Sequence, residues 1–248
     1  MIALEGLCKS FGGAPVLRGV DLVAERGENL VVIGASGSGK SVLLKCILGL
    51  ITPDAGTVRW KGAALGPDNR ADFLARFGML FQGAALFDSM PVWRNVAFRL
   101  LNARPALPVA EARARALDCL ARVGLPERVA DLFPAELSGG MQKRVGLARA
   151  IAAGPEVLFF DEPTTGLDPV MAGVIDRLIA DIVRDLGVCA ITITHDMASV
   201  RRIADRVALL HEGRIRWRGD VAALGSDPDP VLRQFVAGSP EGPIAPTG

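Results

Sequence analysis

No stretch of this sequence is apolar for long enough to cross a membrane. The best candidates, LVVIG and VLFF, fall far short of the ~20 residues a spanning helix needs, and Arg149 interrupts the next contender. The opening residues, MIALEGLCKSFGG, lack a charged region followed by an apolar one, so no secretory signal is read and a cytoplasmic chain is expected. Cysteine is scarce and scattered. Cys8, Cys46, Cys119 and Cys189 form no CxxC pair and have no histidine cluster nearby. That argues against a metal centre or disulfide framework and for buried, reduced thiols. Nor is either charge in excess: 28 Lys+Arg against 27 Asp+Glu leave a formal net charge of +1, which offers nucleic acid no global attraction. The arginines at 201, 202, 206, 214, 216 and 218 cluster locally and read as a solvated face. No internal repeat is present.

What is present is apolar content: 50% of the 248 residues, enough for one large domain or a core with a subdomain. The chain begins with short strands, MIALEGL, PVLRGVDLVA and NLVVIG, with a turn at Glu25–Glu28 before the third. SVLLKCILGL has helical spacing and stops before the turn cluster Thr52–Gly56. TVRWKG and FGMLFQ read as further strands. Between about residues 90 and 150, Ala, Arg and Leu dominate, and VAEARARALDCLARVGL reads as an amphipathic helix ending at Gly124. EVLFFDEP and VCAITITH suit buried parallel strands, and a helix capped at Asp168-Pro169 runs between them towards Gly187. ADRVALLHEGRIRWRG predicts a hairpin turning at His211–Gly213. Such alternation of strand and helix predicts an α/β fold, a mostly parallel sheet covered on both faces.

Residues 34–41, GASGSGKS, fit G-x-x-x-x-G-K-[ST] in full, after a predicted strand and before a predicted helix. The backbone of Gly34, Ala35, Ser36, Gly37, Ser38 and Gly39 can wrap phosphates with N–H groups. Lys40 neutralises their charge, and the Ser41 hydroxyl, next to Val42, is a Mg²⁺ ligand. VLFFDE places Asp161 at the end of a buried strand, suited to Mg²⁺, and beside it Glu162, suited to polarise an attacking water. His195, one of two histidines, closes the strand CAITIT where ligands meet such sheets, and is read as a γ-phosphate contact. His211 reads as surface. Gln82 follows FGMLF and can reach Mg²⁺ or water. Phe11, before Gly12-Gly13, offers a ring face to a nucleobase or belongs to the core. LSGGMQKRVGLAR, residues 137–149, is a second helix start with small residues and free N–H groups, a second place for an anion.

LSGGMQ, the glycine loop, VLFFDE, GLD and TITHD, in this chain, together resemble the ATP-binding cassette (ABC) family across nearly the whole length. The resemblance implies a P-loop NTPase fold with a RecA-like, mostly parallel core. An N-terminal antiparallel β subdomain and an inserted α-helical subdomain at about 85–152 complete a cassette over 1–225, followed by a tail over 226–248. It implies ATP and Mg²⁺ as ligands, with Ser41, Gln82 and Asp161 at the metal. Phe11 matches the adenine-stacking aromatic, usually Tyr; the ring remains and the hydroxyl is missing. Gln82 matches the Q-loop, Leu137–Met141 with Ser138, Gly139 and Gly140 the signature, Asp168 the D-loop and His195 the switch histidine. In this family two cassettes dimerise head to tail, each signature capping the γ-phosphate of ATP held by the other chain. A permease subunit in the membrane is then the partner, with the ATPase on the cytoplasmic face of the inner membrane.

A narrower resemblance lies in FQGAALFDSMPVWRNVAF and in the tail, SDPDPVLRQFVAGSPEGPIAP. Both are similar to the ATPase of Mla-type transporters, which move phospholipids with an Mce-domain partner. Arg94 stands where cassettes usually carry Glu, and Arg99 where Mla-type chains often have Pro. An importer ATPase for a polar small solute is the alternative. Within the tail, Val231, Leu232 and Phe235 recur at short helical spacing, which predicts docking on the cassette or its dimer mate.

Overall fold

Asn29–Ile33, NLVVI, is buried along its whole length because both faces of the strand it forms are covered. The computed structural model describes residues 1–244; the last four residues of the predicted tail, 245–248, lie outside the described residues. In chain order the elements are β1 (Ile2–Phe11), β2 (Ala14–Ala24), β3 (Asn29–Ile33), α1 (Lys40–Ile47), β4 (Ala55–Trp60), β5 (Ala63–Ala64), α2 (Pro67–Ala75) and β6 (Phe77–Leu80). Then follow α3 (Val92–Asn102), α4 (Val109–Arg122), α5 (Gly139–Ile151), β7 (Val157–Asp161), α6 (Pro169–Leu186), β8 (Cys189–Ile193), α7 (Met197–Ile203), β9 (Arg206–His211), β10 (Arg214–Asp220) and α8 (Pro230–Ala237).

The strands form two sheets. One is antiparallel, in the order β2-β1-β4-β5. The other has the order β10-β9-β3-β8-β7-β6 and is parallel except for its edge strand β10, which turns back on β9. Side chains of its central strands alternate between two cores. Leu30 and Val32 of β3, with Val157 and Phe159 of β7, join β1, β2 and α1. Val31 and Ile33, with Leu158 and Phe160, join the helices α3 to α6. Period-two alternation with apolar residues on both sides is what a strand covered on both faces requires. Cys46, Cys119 and Cys189 are buried and unpaired, and burial pushes the Cys189 thiol up to about 12.

The helix ends follow their chemistry. Asp168 Oδ1 accepts from the N–H groups of Val170 at 2.9 Å and Met171 at 3.0 Å, Pro169 opens α6, and Gly187 closes it at φ 57°. The same device recurs at α8 with Asp229, Pro230 and Gly238. Several boundaries differ from the sequence expectation. β1 runs on to Phe11 and turns at Gly12-Gly13 into β2, where sequence predicts a strand ending near Leu7. β8 stops at Ile193, so His195 lies two residues past the strand rather than at its end. The short helices α2 and α7 were not legible, and α3 was expected only as part of a helical segment at about 85–152. The predicted tail contains α8, which buries Val231 and Leu232 and packs Phe235 against the helical core.

Candidate active site

The loop between β3 and α1 has no room for side chains where it folds back on itself. A Cβ at Gly34 would lie 2.3 Å from the Leu210 carbonyl oxygen and 2.7 Å from Ser38 Oγ. Gly39, at φ 106°, precedes the first turn of α1 in a conformation that L side chains rarely adopt. The Lys40 ammonium donates to the carbonyls of Gly34 at 2.6 Å and Ala35 at 3.0 Å. Desolvation lowers its pKa, against the opposing pull of Glu162 and Asp161. Ser38 Oγ is buried with no hydrogen-bond partner, an open polar atom in a loop shaped for phosphate. Residues 35–37 and 39–42 line a cleft of about 750 Å³, facing Gln82, Asp161, Glu162 and His195.

The two carboxylates differ. Asp161 ends β7, and its pKa is raised first by burial and then by the Glu162 charge, while Lys40 and two further lysines pull it down. Glu162 has φ 47°, a left-handed conformation that costs a non-glycine residue about 1–3 kcal/mol and persists only where the surroundings impose it. They do: its N–H donates to the Ile193 carbonyl at 2.8 Å, tying the turn to the end of β8. Its Oε1 lies 2.9 Å from His195 Nδ1, and its Oε2 accepts from Thr165 Oγ1 at 3.3 Å. The Glu162 side chain is only 15% exposed and His195 is 64% exposed, so the histidine holds a sheltered carboxylate from the solvent side. Ser41, Gln82 and Asp161 offer hydroxyl, amide and carboxylate oxygens, the hard donors that Mg²⁺ takes.

The other predicted site residues stand apart from this cleft. Ser138 caps α5, its Oγ accepting from the Met141 N–H at 3.3 Å. Gly140 abuts the start of α6 so closely that a Cβ would come 2.6 Å from Met171 Cε. None of Ser138, Gly139, Gly140 and Asp168 lines the cleft. Phe11, 46% exposed at the end of β1 with Lys9 Nζ 5.5 Å from its ring centroid, does not line it either. Val16 and Phe235 do, and sequence reading singled out neither for the site. It also missed Lys143. That side chain, 5% exposed on α5, donates to the Gln82 carbonyl and lies 3.5 Å from the Glu162 carbonyl. A lysine three residues after Gly140 and four before Leu147, on a buried helix face, was the signal available.

A glycine cradle with Lys40 and Ser41 at the carboxyl end of a parallel sheet, faced by paired carboxylates, defines a P-loop nucleoside triphosphatase. Residues 17–165 match the family described as ABC transporter, and the chain belongs to that family as an ATP-binding, ATP-hydrolysing subunit. It is 45% identical to the methionine import ATP-binding protein MetN of Caulobacter vibrioides, over 95% of this chain and 72% of that one. It is 38% identical to the intermembrane phospholipid transport system ATP-binding protein MlaF of Escherichia coli K12, over 98% of this chain and 91% of that one. The ATP-binding cassette MJ0796, solved as a dimer in a post-hydrolysis state bound to ADP and Pi, matches with a TM-score of 0.80 at 31% identity. That match covers 89% of this chain and 99% of the other. The P-loop fold expected from sequence is therefore the fold. The Mla-type resemblance is not specific, because a methionine importer's ATPase is as similar. No helix among the described residues is long and apolar enough to cross a membrane.

Proposed function

We propose that this chain drives lipid transport, hydrolysing ATP between two copies of itself docked beneath a membrane permease. Lys40 and the loop 34–39 hold the nucleotide phosphates, and Ser41, Gln82 and Asp161 would hold Mg²⁺, which when bound neutralises phosphate charge. Glu162 accepts a hydrogen bond from the attacking water and orients it. His195 holds the Glu162 carboxylate in place and reaches the γ-phosphate from the exposed side. Phe11 stacks on adenine once the nucleotide is seated. The observation behind the two-copy reading is that Ser138 and Gly139 are exposed, Gly140 is held against α6, and none of the three lines its own cleft. Their anion-binding helix start is then free to cap ATP held by a second copy; that MJ0796 was solved as a dimer supports a two-copy assembly. In this reading residues 1–225 form the cassette, the segment about 85–152 carries the signature and meets the permease, and 226–248 is an appended tail. The complex lies on the cytoplasmic face of the inner membrane.

The lipid reading rests on the likeness to MlaF, which runs along 98% of this chain and 91% of MlaF. An Mce-domain subunit is then a further partner, and nucleic acid is none. The 45% identity to MetN supports the second reading, import of a polar small solute. The experiment is co-expression with the chain's own permease, followed by extraction of the purified complex. Phospholipid carried by the complex, with ATPase activity that depends on the permease, is expected. Activation instead by a soluble binding protein loaded with an amino acid, sugar or ion would replace the lipid reading by the second.

A further inference from the structure

Asp176, in the middle of α6, is fully buried, and the cleft does not account for it. Its Oδ2 accepts from Arg202 Nη1 at 3.0 Å and lies 3.0 Å from Ser199 Oγ; its Oδ1 is buried without any partner. Ser199, also fully buried, stands on α7 and touches two more groups, Asp196 Oδ2 at 3.0 Å and Thr164 Oγ1 at 3.2 Å. Thr164 is two residues beyond Glu162, and Asp196 is the residue after His195. One hydroxyl therefore bridges the loop that carries the carboxylate, the loop that carries the histidine, and a helix that belongs to neither.

We propose that Asp176 is a positioning residue: through Ser199 it sets the spacing of the Glu162 and His195 loops on which their 2.9 Å contact depends. A buried carboxylate with a vacant oxygen is a poor way to stabilise a helix. An apolar residue of similar volume would pack there without the desolvation cost, which also raises the Asp176 pKa. Directional bonding is what the carboxylate supplies. Ser199 has one proton and two lone pairs, so with Thr164 donating to it, it can donate to Asp176 or to Asp196, not to both. Arg202, half exposed, keeps Asp176 Oδ2 in line from the outer side. Because α6, capped by Asp168, begins beside Gly140 of α5, movement of that helix end reaches Ser199 through Asp176 along two turns of one rigid element. This inference rests on the roles proposed above for Glu162 and His195.

The test is steady-state turnover and ATP affinity of the permease-bound complex carrying Asp176→Asn, Ser199→Ala or both, with Glu162→Gln as reference. Turnover per folded molecule is expected to fall about 3–30-fold in each single variant, the range of mutations that alter coupling without touching ligand. ATP affinity should stay within about two-fold, since the network meets no cradle residue. The double variant should be no slower than the slower single, because both break one chain of bonds. Ser199→Thr, which keeps the hydroxyl, should retain most turnover. If Asp176→Asn does not fold, Ser199→Ala and Ser199→Thr carry the test. Normal turnover in Ser199→Ala, a loss that tracks ATP affinity, or fully multiplicative losses in the double variant would each overturn the proposal. Should Glu162→Gln itself turn over normally, the failure lies in the site reading beneath it.

Discussion

Glu162 has to be adjacent to Asp161 and yet do different work, and its backbone is how the chain separates them. Asp161 is still in the strand, while at Glu162 a positive φ turns the next side chain onto His195. Both carboxylates lie in the field of Lys40 and Lys143, but only Glu162 meets the histidine. Glu162→Gln keeps the size and the His195 contact but removes the basic oxygen. Turnover should fall by about 10²–10⁴-fold, the contribution of a general base, with ATP affinity within a few-fold. Trapped ATP should then hold two copies together on a sizing column; near-normal turnover would remove Glu162 from the mechanism. At this scale the motif residues were legible because each pairs a chemical type with a fixed spacing. Lys143 was not, because its meaning lies in the Gln82 and Glu162 carbonyls it reaches from another helix.

Elements were legible where a cap, a period and a breaker agree. Asp168-Pro169, the apolar face of α6 and Gly187 all point to one helix, and the chain forms it. α2 and α7 are short, and short segments take their helical state from packing more than from propensity. α8 shows the same dependence. Its residues are few, but Asp227 accepts from Trp217 Nε1 at 2.7 Å, Asp229 pairs with Arg216 at 2.9 Å, and Leu232 is fully buried. Leu232→Ala should therefore cost about 2–5 kcal/mol, as for other buried leucines. The measurement is the urea midpoint at unchanged slope. A midpoint equal to that of the parent chain would mean that α8 is not docked in solution.

For the whole molecule the question is whether the second anion site serves its own cleft or a neighbour's. Lys40→Ala strips charge from the cradle, and Ser138→Arg puts a bulky side chain at the start of α5; each alone should abolish hydrolysis. Mixed in one dimer, they leave one site with both lesions. The other joins the intact cradle of the Ser138→Arg chain to the intact cap of the Lys40→Ala chain. Mixed dimers isolated through two affinity tags should regain hydrolysis, or ATP-dependent closure if turnover needs both sites. In a cis arrangement every site keeps one lesion, so dimers that neither hydrolyse nor close would defeat the head-to-tail reading.

The sequence by itself determined the cradle, the paired carboxylates, the histidine and the parallel α/β core. Each is a local pattern: glycines where the chain turns back on itself, acids after a run of apolar residues, alternation that suits a strand covered twice. Tertiary structure alone decided which distant residues share an atom. Lys143 reaches the loop of Gln82, Phe235 of α8 comes to the rim of the cleft, and Ser199 ties Thr164 to Asp176. These contacts join segments tens to over two hundred residues apart. No spacing rule connects such segments, because their meeting depends on how the sheet orders its strands and how the helices pack across it.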